Sequence, residues 1–239
     1  VTGGASGIGL AMTRAFLDEG MKGVVADIEA DVLAAAVADL PEGSEVEAVV
    51  CDVADAAQVD ALRDRAVERF GTAHVICNNA GVSAGGPVWE HTDEDWQWVL
   101  GVNLWGVIHG IRAFTPLFIA QGEGHIVNTA SMAGLTSMPF SSMYNVSKHG
   151  VVTLSETLFA DLAMTGAAGV GVSVLCPGGV QTRIHEAGRN RPEGSAAAEV
   201  DEERAAMRAG FADYIGSLIA SGVEPAEVAA LVGAAVRTR

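Results

Sequence analysis

Strand-length apolar runs alternate with longer stretches of helical period along almost the whole of this chain. Val24-Val25-Ala26 precedes Val32, Leu33, Ala36, Val37 and Leu40, which share one helix face stopped by Pro41 and Gly43. Glu45 to Cys51 follows as a strand, and Val59, Leu62, Ala66 and Phe70 mark a helix closed by Gly71 before Val75-Ile76-Cys77. A long helical stretch from about Asp93 to Ala120 leads to Ile126-Val127-Asn128-Thr129. Another, from about Ser142 to Met164, leads to the β-branched run Val170 to Cys176. Two strands joined through a helix pair in parallel, and a parallel sheet must be covered on both faces. The expected fold class is therefore α/β, a doubly wound parallel sheet in three layers, α/β/α.

At 239 residues, with no internal repeat, Pro/Ser-rich linker or shift of composition, the chain reads as one domain spanning 1–239. From about 181 to 219 its character changes: Arg183, Arg189, Arg191, Arg204 and Arg208 interleave with Glu193, Glu199, Asp201, Glu202 and Glu203. This insert is expected to be a mobile loop plus a surface helix. A last helix, opened by Pro225, presents Val228, Leu231, Val232 and Ala235 on one face.

Charge narrows the partners. Thirty acidic residues against 14 basic give a net charge of −16, a field that repels nucleic acid and anionic membrane surfaces. Neither partner is expected. Cys51, Cys77 and Cys176 form no C-x-x-C pair and suit a reducing compartment, and no uninterrupted apolar stretch reaches about 18 residues. The expected location is cytoplasmic. His74, His91, His109, His125, His149 and His185 are scattered away from metal-ligand spacings, so no metal is expected. His185 reads as a surface residue, and His149 turns away from Lys148 by a helical step of about 100°.

Thr2-Gly3-Gly4-Ala5-Ser6-Gly7-Ile8-Gly9 joins a strand stub to a helix that runs to Gly20. Glycines there let backbone amides approach a pyrophosphate at the positive end of the helix dipole, which makes the architecture of Rossmann type. Asp27 ends the next strand about 20 residues on, where a carboxylate can accept from the adenosine ribose hydroxyls and repel a 2′-phosphate. No Arg or Lys stands in the turn or just after Asp27. NAD is therefore expected over NADP. The plain alternative for Asp27 is a helix N-cap.

Tyr144-Asn145-Val146-Ser147-Lys148 places a phenol and an ammonium one turn apart on the same helix face. A nearby cation favours phenolate and would lower the Tyr144 pKa towards the range of general acid/base work. The chain holds only two Tyr, which makes the coincidence less ordinary.

Taken together, Thr2-Gly3-x3-Gly7-Ile8-Gly9, Asn78-Asn79-Ala80-Gly81, Asn103, Ser131, Tyr144-x3-Lys148 and Pro177-Gly178 resemble, in type and order, the short-chain dehydrogenases/reductases of the simple single-domain branch. Ser131 precedes Tyr144 by 13 positions. The resemblance covers nearly the whole chain. It implies a catalytic set of Asn103, Ser131, Tyr144 and Lys148: Tyr144 as general acid/base, Ser131 on the substrate oxygen, Lys148 on the nicotinamide ribose, and Asn103 organising a water behind Lys148. It implies cofactor contacts from Gly3, Ser6, Gly7, Ile8, Gly9 and Asp27, from Asp52 and Val53 at the adenine, and from Asn79, Ala80 and Gly81. Pro177, Gly178, Val180 and Thr182 would grip the nicotinamide.

The function so implied is NAD-dependent hydride transfer between a nicotinamide cofactor and a secondary alcohol or ketone. Val82, Met132, Leu135, Met138, Phe140, Phe211 and Tyr214 make the substrate moderately hydrophobic. The alternative is a non-catalytic NAD-binding redox sensor or scaffold, for which Tyr144 or Lys148 should be lost. A homodimer or homotetramer is implied by the resemblance, with Trp89, Trp96, Trp98 and Trp105 as core or subunit-interface residues. The family's fold has a strand where the chain has only Val1-Thr2 and another after the last helix, so further residues are expected at both ends.

Overall fold

The computed structural model describes residues 1–192 and 202–238, so Glu193, Glu199 and Asp201 of the charged insert lie outside the described residues. Five parallel strands form where the apolar runs predict them. β1 (Gly23–Asp27) pairs with β2 (Val46–Val50), and β3 (Val75–Asn78) pairs with β4 (Gly124–Thr129), which pairs with β5 (Val170–Leu175). Thr2 joins the two groups. It bridges to Ala26 on one side, and its amide donates to the Cys77 carbonyl at 3.0 Å on the other. The strand order thus reverses at Thr2, and the crevice of a doubly wound sheet opens at such a reversal, beyond the carboxyl ends of the strands.

Both sheet faces are buried. Ile126 of β4 packs with Val59 and Leu62 of α3 (Ala56–Phe70), Phe114 and Phe118 of α5 (Gly106–Gln121) and Leu162 of α6 (Ser142–Met164). Its neighbour Val127 points to the other face, against Met12 of α1 (Gly7–Asp18) and Ala229 and Val232 of α8 (Pro225–Arg237). This alternation is what a strand covered on both sides requires. α2 (Ala30–Ala38) seats Leu33 against Val25 and Ala5. Leu33 therefore anchors the helix behind the glycine turn.

The stretch expected as one helix from Asp93 is interrupted. α4 (Asp93–Leu100), opened by a Thr92/Asp95 capping box, passes into a π-turn over Gly101–Trp105 before α5 begins. The wider turn carries Asn103, which is fully buried. By composition the run Asp93–Gln121 is long and apolar enough to cross a membrane, with mean hydropathy 1.2. Here it spends Val107, Ala113, Phe114 and Phe118 on the core. Of the tryptophans, Trp98 is buried in the core, whereas Trp89 and Trp105 are exposed, so of the two roles expected of them only the subunit interface is open to Trp89 and Trp105. The charged insert supplies a 3-10 segment, Ile184–Asn190, and the helix α7 (Glu202–Ala220).

Candidate active site

Gly3 and Gly7 carry φ of +59° and +52°, the left-handed region that only glycine enters freely. A Cβ on Gly3 would stand 2.8 Å from Ala80 Cα, so the glycine turn and the turn after β3 touch backbone to backbone. Asn79 fastens them. Its Nδ2 donates to the carbonyls of Thr2 (3.1 Å) and Gly3 (3.3 Å), and its Oδ1 accepts from Thr129 Oγ1 (3.2 Å). Gly9 has a packing reason of its own: a Cβ there would lie 2.1 Å from the Gly3 carbonyl oxygen, so its smallness lets α1 close against the turn.

A groove of about 550 Å³ runs from this turn along the carboxyl ends of the strands. Gly3, Ser6, Gly7 and Ile8 line its start, then Asp27 after β1, Asp52 and Val53 after β2, and Asn79, Ala80 and Gly81 after β3. Ser131, Tyr144 and Lys148 line the middle, with Pro177, Gly178, Val180 and Thr182 after β5. Glycine backbone at a helix N-terminus, with a carboxylate at the far rim, fits a dinucleotide. Asp27 accepts from the amides of Ala5 and Glu29, both at 3.1 Å, and the N-cap of α2 is Glu29. A carboxylate offers about four acceptor sites, so these two bonds leave capacity for ribose hydroxyls.

In the middle of the groove Ser131 and Tyr144 line the wall together, and the Ser131 hydroxyl donates to the Pro177 carbonyl at 3.5 Å. Ser131 Oγ also accepts from the Ala133 amide at 3.1 Å, which fixes its direction. Lys148, 3% exposed, donates from Nζ to the Thr129 carbonyl at 2.8 Å and lies 5.6 Å from the centre of the Tyr144 ring. Burial pushes the lysine down to about 8. Burial also raises the Tyr144 phenol, and the polar Ser131 side chain offsets this only in part. The expected depression of Tyr144 is thus not produced, because burial withdraws the phenolate from water.

Asn103 stands behind this pair with its side chain committed to the wall. Its Oδ1 accepts from the Val82 amide (2.8 Å), and its Nδ2 donates to the Val82 carbonyl (2.9 Å) and Ser147 Oγ (3.1 Å). Those bonds tie the loop after β3 to the helix that carries Tyr144. A Cβ on Gly81 would lie 3.5 Å from Asn103 Oδ1 and 3.6 Å from Lys148 Nζ, which sets how closely the loop passes the lysine.

A second cavity of about 980 Å³ adjoins the groove and shares Ser131, Tyr144, Pro177 and Gly178 with it. Met132, Met138, Phe140 and Phe211 line it as the apolar loops suggest. Val82 faces the groove instead, Leu135 is exposed, and Tyr214 is exposed with its ring beside Phe211. Phe140 holds φ +56° and meets the Phe211 ring edge to face at 5.4 Å. Met207, Ile215 and Leu218 of α7 complete the apolar lining, and His185, exposed as expected of a surface residue, stands at its rim. The apolar residues of α7 show little helical period, so no signal in the sequence pointed to these three.

The comparisons with known proteins agree with this geometry. Residues 1–193 match the family described as short chain dehydrogenase. The chain is 40% identical to 1-deoxy-11-beta-hydroxypentalenate dehydrogenase of Streptomyces exfoliatus, over 82% of this chain and 71% of that protein. It is 35% identical to 3beta-hydroxysteroid dehydrogenase 2 of Eggerthella lenta, over 92% of this chain and 85% of that protein. A crystal structure of a short chain dehydrogenase/reductase from Burkholderia phymatum in complex with NAD superposes with a TM-score of 0.94 at 44% identity, covering 100% of this chain and 85% of that one. With the groove, the Ser131, Tyr144 and Lys148 cluster and these likenesses in agreement, the chain belongs to the short-chain dehydrogenase/reductase family, nicotinamide-dependent oxidoreductases of hydroxyl and carbonyl groups.

Proposed function

We propose that this chain is an NAD-preferring dehydrogenase of moderately hydrophobic secondary alcohols and the matching ketones, working as one domain over 1–239 with a substrate loop at about 181–219. The observation that carries the reading is that Ser131 and Tyr144 line both the groove and the apolar cavity, and so stand where cofactor and substrate would meet. NAD, when bound, supplies the hydride acceptor. Tyr144 Oη takes the alcohol proton in oxidation and returns it in reduction, while Ser131 Oγ holds the substrate oxygen. Lys148 keeps a cation beside the groove that can bond ribose hydroxyls, and its weakened hold on its proton suits a path for proton exchange. Asn103 positions the wall behind it. Gly3, Ser6, Gly7 and Ile8 receive the pyrophosphate, Asp27 the adenosine ribose, Asp52 and Val53 the adenine, and Val180 and Thr182 the carboxamide. Trp105, Ile119, Phe159 and Met164 leave apolar surface exposed on the π-turn, α5 and α6, which supports a homodimer or homotetramer. Cytoplasmic residence is the compartment that fits unpaired cysteines.

Tyr144→Phe tests the chemistry. It keeps the ring and removes the acid, so kcat/KM for NAD-linked oxidation of aliphatic or steroidal secondary alcohols should fall by at least about 10²-fold. NADH binding, read by fluorescence, should change far less. Turnover within threefold of the parent would refute the role of Tyr144, and a parent chain that binds NADH but oxidises none of these alcohols would favour a non-catalytic binding protein.

A further inference from the structure

Asp27 is not the only charged group at the adenosine end of the groove. The segment after β5 returns across the sheet and brings Arg183 and Arg189 to line the same groove as Asp27, Ile28 and Glu29. Arg189 closes a fork on Glu29, with Nη2 and Nε at 2.9 and 3.1 Å from Oε1 and Nε at 3.3 Å from Oε2. Asn190 Nδ2 adds a third donor to Oε1 at 3.1 Å. The Glu29 amide donates in turn to Asp27 Oδ1, so both carboxylates belong to one turn.

We propose that Glu29 is a second determinant of cofactor choice, acting by occupying the Arg189 guanidinium that would otherwise receive the 2′-phosphate of NADP. The proposal rests on the NAD preference argued above and adds to it. A guanidinium fork binds carboxylate and phosphate with the same bidentate geometry, so an internal carboxylate and a ligand phosphate compete for it. The internal one is held within the fold and has the advantage of effective concentration. Glu29 is ionised across the neutral range, because the Arg189 bond holds it below the usual carboxylate range. Arg183 is paired with Glu186 at 2.9 Å, so Asp27 and Glu29 face Arg189 alone and the rim stays negative, which suits a neutral ribose and disfavours a phosphate. Arg189 Nη1 also donates to the Arg183 carbonyl at 3.3 Å, which keeps the guanidinium at the rim once Glu29 is removed.

The test is direct binding, which needs no substrate. Dissociation constants of NADH and NADPH are measured by fluorescence titration for the full chain, for Glu29→Gln and for Glu29→Gln with Arg189→Ala. Freeing the Arg189 guanidinium for a charge-assisted bond to the 2′-phosphate should improve NADPH binding relative to NADH by about tenfold. Adding Arg189→Ala should cancel the gain. An NADPH/NADH ratio within twofold of the parent in Glu29→Gln would overturn the proposal. So would a gain that survives Arg189→Ala, since that is simple loss of repulsion without a receptor. A parent chain that binds NADPH more tightly than NADH would instead refute the NAD preference itself.

Discussion

Lys148→Met should make the protein more stable while it destroys turnover. The lysine is 3% exposed and titrates at about 8 instead of 10.5, because burial disfavours its charged form. A folded pKa below the unfolded one means that the unfolded chain binds the proton more tightly, so stability rises with pH between the two values. At pH 7 the whole penalty is present, and a shift of that size corresponds to about 3 kcal/mol. At pH 9.5 the folded lysine is already neutral and only the unfolded chain, with its pKa about one unit above the pH, still gains from protonation, so the same linkage leaves about 1.4 kcal/mol. Methionine keeps the length and apolar stem but forfeits the bond to the Thr129 carbonyl, a loss of about 1 kcal/mol. The net gain is then about 2 kcal/mol at pH 7 and near zero at pH 9.5, or a rise in Tm of ~4–8 °C that vanishes in alkali. Thermal unfolding followed by circular dichroism at both pH values reads it. A variant less stable than the parent at pH 7, or a difference independent of pH, would refute the view that the site holds a strained lysine for function.

Two further substitutions probe the scaffold. Gly110→Ala would place a Cβ 1.9 Å from Asn78 Oδ1, so despite the helix propensity of alanine it should lower stability by about 2–3 kcal/mol in urea denaturation, and a neutral effect would mean α5 can slide off β3. Asn79→Ala removes both donors that hold the Thr2 and Gly3 carbonyls, and should weaken NADH binding by about tenfold, with a loss confined to thermal stability counting against a positioning role.

What was legible beforehand follows a physical division. Val24-Val25-Ala26 and Val75-Ile76-Cys77 could be placed because both faces of a central parallel strand are buried, which forces a continuous apolar run. Ser131, Tyr144 and Lys148 could be placed because a strand end and one helix turn fix them locally. The π-turn at Gly101–Trp105 could not, since it inserts no unusual residue into a helical pattern. The Glu29 and Arg189 pair could not either: its members lie 160 positions apart, and neither the acidic run after β1 nor the mixed charges of the insert names its partner.

The same division explains how the two functional ends of the groove are held in register. Lys148 Nζ donates to the Thr129 carbonyl, and Thr129 Oγ1 donates to Asn79 Oδ1. Asn79 Nδ2 donates in turn to the carbonyls of Thr2 and Gly3 in the glycine turn. The lysine of α6 and the turn that opens α1 are therefore joined through one residue of β4 and one of the loop after β3. Each link is a short-range bond between groups removed from bulk water, where an unmade bond costs more than a made one contributes. That asymmetry favours the one arrangement in which all the links close together. A sheet edge crossed by such a chain resists sliding of β4 against β3. The spacing between the glycine turn at Gly3 and the α6 turn that carries Tyr144 and Lys148 is then set by the sheet itself.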